Sequence, residues 1–353
     1  MKYVLAIDSF KGCLTSAEVE TAVADVLNGK GVETVSLPMS DGGDGMLEAF
    51  TSALGGTLQP VYIHNHMMRR MDAQYGMTAD GTAIIEVAQA CGLTLVKEDE
   101  RNPVRSTTYG VGELLARAVK RGCRKFIIGL GGTGTSDAGI GMIRALVDIF
   151  ARGKNFDEAM KTELGECRFT LASDVSNPLC GENGAARVFA PQKGATPEMV
   201  EQLDRRARLF AEKSALHFGF DKSEEPGAGA AGGLGYAFMQ YLGAEMKSGA
   251  DLLLDLIGFD DKIKDADLVI TGEGRADRQT LMGKLPQRIL ERGKRSGVPV
   301  GLIAGQIAEK ERLLSAGFAF ADSITPNEMP HEEAIKKETA LCNLQRWAAS
   351  LSL

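Results

Sequence analysis

Tyr3-Val4-Leu5-Ala6-Ile7-Asp8-Ser9-Phe10-Lys11-Gly12 is the stretch on which the fold turns. Tyr3–Ile7 reads as a buried strand, and an acid, a lysine and a glycine follow at its carboxyl end. Thr15-x-x-Glu18 then matches a capping box. Val19, Ala22, Val23, Val26 and Leu27 fall at i, i+3, i+4, i+7 and i+8, which is one face of a helix. A second strand is expected at Thr34–Leu37 and a second helix over 45–54. The same unit returns near the other end of the chain, with strands at Leu268–Ile270, Val298–Ile303 and Phe318–Ile324. Helices are expected near 286–295, 307–316 and 331–349. Such strands with helices between them make an α/β, doubly wound parallel sheet built from both chain ends. The middle is then a second, inserted mixed α/β domain: 60–261 is the insertion, and 1–59 with 262–353 the discontinuous domain.

Within the insertion, polar alternating strands are expected around 57–64, 72–78 and 82–88. A helix over 106–121 carries Val111, Leu114, Leu115, Ala118 and Val119 on one face, and Phe126–Leu130 reads as a buried strand. Thr196-Pro197 opens a further helix, an N-cap followed by proline in the first turn. The 353 residues are enough for two cores. A net charge of −7, with no clustered Lys/Arg stripe, argues against a nucleic-acid partner. No uncharged apolar run nears the ~18 residues of a membrane span. The apolar stretch before Asp8 is too short for a signal-peptide core. Six cysteines without a Cys-x-x-Cys pair read as reduced thiols. A cytoplasmic location is expected, with no membrane partner.

Ligands of open parallel sheets bind beyond the carboxyl ends of the strands. There the sequence places Asp8-Ser9-Phe10-Lys11-Gly12, Ser40-Asp41-Gly42-Gly43-Asp44-Gly45, Thr271-Gly272-Glu273-Gly274-Arg275-Ala276-Asp277, Ala304-Gly305-Gln306 and Thr325-Pro326-Asn327. One such loop is explained by turn formation alone. Several on one edge, with acids between glycines, point to phosphoryl transfer. Glycine lets backbone N–H groups approach phosphate oxygens, carboxylates hold Mg²⁺, and Lys or Arg covers the developing charge. The insertion adds Gly129-Leu130-Gly131-Gly132-Thr133-Gly134 and Gly227-Ala228-Gly229-Ala230-Ala231-Gly232-Gly233, both matching G-x-G-x-x-G. A dinucleotide reading of the first lacks the second strand ending in an acid about 20 residues on. A P-loop is absent, since Gly283-Lys284 is followed by Leu285. His64 and His66 read as surface residues without metal-ligand companions. Ser173-Asp174-Val175-Ser176-Asn177-Pro178 ends a strand with an acid and an amide. Pro191-Gln192-Lys193-Gly194-Ala195 sets a lysine ahead of a helix N-terminus, an anion site, against the plainer reading of a solvated loop lysine.

Together these motifs resemble the bacterial type-1 glycerate kinases. The similar stretches are Asp8–Lys11, Asp41–Gly45, Glu100–Pro103 with Thr107–Gly110, Ile128–Gly132, Ser173–Pro178, Pro191–Ala195, Pro226–Gly233 and Ile270–Thr280 running to Gly283-Lys284, in the family's order across nearly the whole chain. Differences stand at Asp44, where the family usually has Glu, and over Gly134–Gly139. The resemblance implies ATP-dependent phosphorylation of D-glycerate with Mg²⁺, most often at the 2-hydroxyl; the alternatives are glycerate 3-kinase activity or a non-catalytic two-domain sugar-acid-binding protein. It also implies a flavodoxin-like domain, an inserted α/β domain and a site between them. The chain would act as a monomer or homodimer on small molecules. Candidate catalytic residues are Asp174, Lys193, Asp8 and Lys11, with Asp174 or Asp8 the base. Ser9, Asp41, Asp44, Asn177, Arg275, Gln279, Thr280 and Lys284 are candidates for substrate binding. Gly129, Gly131, Gly132, Gly229, Gly232 and Gly233 are candidates for the nucleotide, and Glu273 and Asp277 for the metal.

Overall fold

The computed structural model describes residues 1–10, 12–40, 43 and 45–351. Its strands, in chain order, are β1 (Lys2–Ile7), β2 (Glu33–Ser36), β3 (Thr57–His64), β4 (Arg70–Met77), β5 (Thr82–Glu86), β6 (Lys125–Gly129), β7 (Arg168–Ala172), β8 (Glu245–Lys247), β9 (Leu268–Ala276), β10 (Val300–Ile307) and β11 (Phe320–Ser323). Two compact units divide the chain: Met1–Asp41, Ser52–Leu54 and Ala250–Leu353 in the first, Gly42–Thr51 and Gly55–Gly249 in the second. The expected boundaries at 59/60 and 261/262 cut through β3 and the helix Phe259–Ile263.

The first unit holds a five-stranded sheet in the order β11-β10-β9-β1-β2, every pair parallel. In chain order this is 2-1-3-4-5, the flavodoxin-like arrangement. Helix Ser16–Gly29 starts at the expected capping box: Thr15 accepts from the Glu18 backbone, and Glu18 accepts from the Thr15 N–H at 2.9 Å. Its stripe Val19, Val23 and Leu27 packs with Leu5, Ile7, Ile303, Leu344 and Trp347 in one core.

Two elements differ from expectation. β9 continues through Ala276, so Thr271–Ala276 is strand where a loop was expected. Its neighbours explain the length: β1 pairs with it as far as Gly272, and β10 carries the ladder on to Ala276. The expected helix over 331–349 is two, His331–Ala334 and Lys337–Ser350, broken at Lys336 in extended backbone. Ala334 and Ala340 are both buried. In one continuous helix, six residues apart at 3.6 per turn, they would face different directions, and the break turns both inward.

The second unit holds a six-stranded sheet, β3-β4-β5-β6-β7-β8, antiparallel from β3 to β5 and parallel from β5 to β8. β5 was expected to be polar and alternating, yet all of its residues are buried, because it lies between β4 and β6. Helix Tyr109–Lys120 buries Val111, Leu114, Leu115, Ala118 and Val119, as the spacing requires. Thr196 caps helix Pro197–Phe218. His66 corrects a surface expectation. It is 1% exposed, its carbonyl accepts the Thr107 N–H, and burial lowers its pKa, so the ring is neutral. His64 is half-buried against Glu113. Among the described residues no helix is long and apolar enough to cross a membrane.

Candidate functional site

In the first unit the carboxyl ends of β1, β9, β10 and β11 open on one cavity of about 450 Å³. It covers the β1/β9 position, where this strand order reverses direction and where such sheets take their ligands. β1 brings Asp8 and Ser9 to its wall, β9 brings Glu273, Gly274 and Arg275, and β10 brings Gly305 and Gln306. Glu273 emerges one residue past the end of the β1 ladder, opposite Ala304. It is 9% exposed and accepts two hydrogen bonds, from Thr280 Oγ1 at 2.6 Å and from Lys284 Nζ at 3.0 Å. Those donors are what let a carboxylate remain buried. Lys284 also stands at the N-cap of helix Leu285–Ser296, where its side chain makes no capping hydrogen bond and turns to Glu273 instead.

The neighbouring candidates are arranged around this pair. Asp277 caps the turn Arg278–Leu281: its carboxylate accepts from Gln279 N–H at 2.8 Å, and its own N–H donates to Thr280 Oγ1 at 3.0 Å. Arg275 Nε lies 3.7 Å from Asp277, and the guanidinium is exposed at the cavity edge. Gln279 is exposed, whereas Thr280 is fully buried and acts on its surroundings through Glu273. Asp8 is 7% exposed and accepts the Ser9 N–H at 2.7 Å. Lys11, Asp41 and Asp44 lie outside the described residues. Mg²⁺ carried on nucleotide phosphates needs only one or two protein carboxylates. Among the described residues no cluster of three His, Cys, Asp or Glu forms a cage, while Asp8 and Glu273 share the cavity wall. That sparse donor set suits a phosphate-borne ion.

The glycines of the second unit fall into two groups. Gly129 ends β6 and is buried, whereas Gly131 and Gly132 are accessible. Gly132, with φ 70°, edges a cavity of about 480 Å³ together with Met71, Glu86, Gln89, Leu93 and Leu95. Gly229, Gly232 and Gly233 are buried against backbone. A Cβ on Gly229 would meet the Pro178 carbonyl at 2.3 Å, one on Gly232 the Thr135 carbonyl at 2.1 Å, and one on Gly233 Ala138 Cα at 2.7 Å. Gly232 and Gly233 let their segment interlock with the stretch Thr135–Ala138 that follows the other glycine-rich loop, joined by the Ala138 N–H donating to the Gly232 carbonyl at 3.0 Å, while Gly229 admits the Pro178 carbonyl.

Lys193 is 3% exposed, which removes the solvated-loop reading. Its ammonium donates to Thr133 Oγ1 at 3.1 Å and to the Thr135 carbonyl at 2.6 Å, tying the 191–195 segment to the glycine loop. Burial lowers its pKa to about 8, against the raising influence of Cys91 and Asp137. Asp174 is exposed in the segment after β7. Asn177 donates from its amide to the Asn183 carbonyl at 2.8 Å and accepts the Gly229 N–H at 2.9 Å.

The family model for the glycerate kinase family matches residues 3–352. The chain belongs to the glycerate kinase family. It is a kinase. The "Glycerate kinase" of Haemophilus influenzae is 40% identical over 328 residues, 88% of this chain and 87% of the relative. The "Glycerate 2-kinase" of Escherichia coli K12 is 38% identical over 336 residues, 88% and 86% of the two chains. A crystal structure from Salmonella typhimurium LT2, described as glycerate kinase 2, superposes with a TM-score of 0.83 at 35% identity, covering 99% of this chain and 96% of its own.

Sequence reasoning passes over several buried acids of this kinase, Asp137 and Glu20 among them. Asp137 accepts from Thr108 N–H at 2.8 Å and from the Gly139 and Gly141 N–H groups at 3.1 Å, fixing the glycine loop to helix Ile140–Phe150. Its signal is an acid just ahead of an apolar run, an N-terminal position. Glu20 is fully buried, accepts the Ile7 N–H at 3.0 Å and is held well above the usual carboxylate range by burial. Its signal is an acid on the apolar stripe, at i, i+3, i+4 and i+7 with Val23, Ala24 and Leu27.

Proposed function

We propose that this kinase transfers the γ-phosphoryl group of ATP to the 2-hydroxyl of D-glycerate, giving 2-phospho-D-glycerate and ADP, with Mg²⁺ as cofactor. The observation that carries the reading is the Glu273–Lys284 pair at the wall of a cavity over the strand ends, inside a chain of this family. The name of the Escherichia coli relative supports the 2-position. In the reaction the substrate oxygen bonds to phosphorus, the bridging bond to the β-phosphate breaks, and the hydroxyl proton passes to a carboxylate. Asp8, on the cavity wall, and Asp174, after β7, are the proposed acceptors of that proton. Mg²⁺, when bound, would neutralise charge on the phosphate oxygens, and Glu273 on the cavity wall would hold it. Lys284 and Arg275 supply positive charge at the same wall, and Ser9 a hydroxyl. Lys193 would act indirectly, by fixing the segment that contains Thr133 and Thr135.

The two compact units are proposed as the enzyme's two domains. Six free thiols are consistent with a reducing cytoplasm. Phosphorus NMR of the product from D-glycerate, ATP and Mg²⁺ tests the reading. A 2-phosphoglycerate signal that disappears in excess chelator is expected. A 3-phosphoglycerate product removes the regiochemistry, and turnover in chelator removes the metal.

A further inference from the structure

The first-unit cavity has two chemically different walls. Helices Ser16–Gly29 and Lys337–Ser350 pack on each other, and the turn leading into the first of them brings Phe10 and Cys13 to the cavity. Ile324, Ala334, Ile335 and Ala340 complete this apolar wall, with Phe10, Ile324 and Ala340 in one core cluster. The other wall carries Glu273, Arg275 and Lys284, where helix Leu285–Ser296 packs on β9 and β10. About 450 Å³ lies in the range of roughly 300–1,000 Å³ that drug-sized ligands fill. A three-carbon hydroxy acid is polar along its whole length and offers nothing to the Phe10–Ile324–Ile335 side. A nucleotide has both kinds of surface: a flat apolar base and a chain of anionic phosphates.

We infer that the first unit holds the nucleotide, its base against Phe10, Cys13, Ile324 and Ile335 and its phosphates toward Lys284. This rests on the proposed ATP-dependent reaction and assigns the nucleotide to residues outside both glycine-rich segments. The base gains from desolvating its faces. The phosphates meet Lys284 and the opening N–H groups of the 12-residue helix Leu285–Ser296. The competing position is the second-unit cavity of about 480 Å³, where Leu93, Leu95 and Met71 supply apolar surface beside Gly132.

Two measurements separate the positions without turnover. The first is alkylation by iodoacetamide near pH 9, read by mass spectrometry with and without ADP. Cys13 is partly exposed on the cavity wall, with its thiol pKa raised by burial, and Cys342 is an exposed internal control. At ADP about ten times its Kd, Cys13 labelling is expected to slow roughly tenfold by mass action while Cys342 labelling is unchanged. The second is calorimetric titration of ADP into Ile335→Glu and Leu95→Glu, matched substitutions at side chains 43% and 36% exposed. Ile335→Glu is expected to weaken ADP by at least about tenfold and Leu95→Glu by less than about twofold. Unprotected Cys13, or the reverse order of the two variants, overturns the inference. If the wild type nevertheless phosphorylates D-glycerate from ATP, the proposed function stands and only the location is lost. If D-glycerate alone protects Cys13 and ADP does not, the cavity belongs to the acceptor and the inference again fails. Absence of both ADP binding and turnover removes both.

Discussion

Both units place glycines in the segments that connect their parallel strands, and the two use them differently. In the first unit Gly12 has φ 74° and no atom within 4 Å of an added Cβ, so backbone conformation alone demands it. Nearby, Glu273 and Lys284 line open space. In the second unit Gly229, Gly232 and Gly233 have no free volume at all, because backbone carbonyls and Cα atoms fill it. A G-x-G-x-x-G spacing therefore reports that something approaches the chain closely. It does not say whether that something is a phosphate or another loop of the same protein.

The sharpest way to break this contrast is at the open edge. Glu273→Gln keeps an acceptor for Thr280 but removes the charge facing Lys284. We predict a fall in kcat/KM of about 10²–10³ at nearly unchanged melting temperature, the scale seen when one preorganised electrostatic group is lost. Activity within twofold of the parent would mean that the cavity edge is not where charge develops.

The packed edge should respond in stability. Gly232→Ala places a Cβ 2.1 Å from the Thr135 carbonyl at φ 67°, so backbone must shift. A loss of about 2–4 kcal/mol in denaturant titration is expected. Gly12→Ala, with φ strain but open space, should lose only about 1 kcal/mol. Equal losses would erase the distinction between the two edges.

How far the sequence exposes these edges follows from the range of each signal. Capping boxes, apolar stripes and strand runs are local, so helix Ser16–Gly29, its Thr15 cap and β1 are readable from neighbouring residues. The flavodoxin-like strand order came from family resemblance and matches the observed ladders. The extension of β9 through Glu273 depends on β10, 24 residues or more away in sequence and adjacent only in the sheet. The interior position of Lys193 depends likewise on Thr133 and Thr135, about 60 residues earlier. A lysine between Gln192 and Gly194 looks solvated until those partners are in place. The apolar wall of the first cavity is illegible for the same reason: Phe10, Ile324 and Ile335 come from three separate turns.

Lys193 offers a pH test of the packed edge. Its folded pKa of about 8 lies below the ordinary lysine value of 10.5, because burial penalises the ammonium. Between those values the unfolded chain binds more protons than the folded one, so unfolding free energy rises with pH across that window. The sign is that of a buried amine which folds more easily once neutral. Relative to Lys193→Met, which does not titrate, the parent should gain up to about 3 kcal/mol from pH 8 to 10.5. Parallel stability curves for parent and variant would place the ammonium in water and undo the buried assignment.

The smallest effect concerns the two alanines that stand in the left-handed region beside the interlocked glycines. Ala231 has φ 53° and Ala138 φ 54°, a conformation that costs an L-residue about 1–2 kcal/mol. Glycine relieves that strain but gives the unfolded chain more freedom, which takes back about 0.5–1 kcal/mol. For Ala231, half-exposed, the balance leaves Ala231→Gly more stable by about 0.5 kcal/mol. Ala138 is 3% exposed, and its methyl packs in the main core of the second unit. Losing that methyl costs about 1 kcal/mol more, so Ala138→Gly should come out neutral or less stable. Denaturant titration of the two variants side by side reads the difference, with strain common to both and packing confined to one. If both gain equally, the Ala138 methyl contributes nothing, and the close contact of the two glycine segments rests on backbone alone.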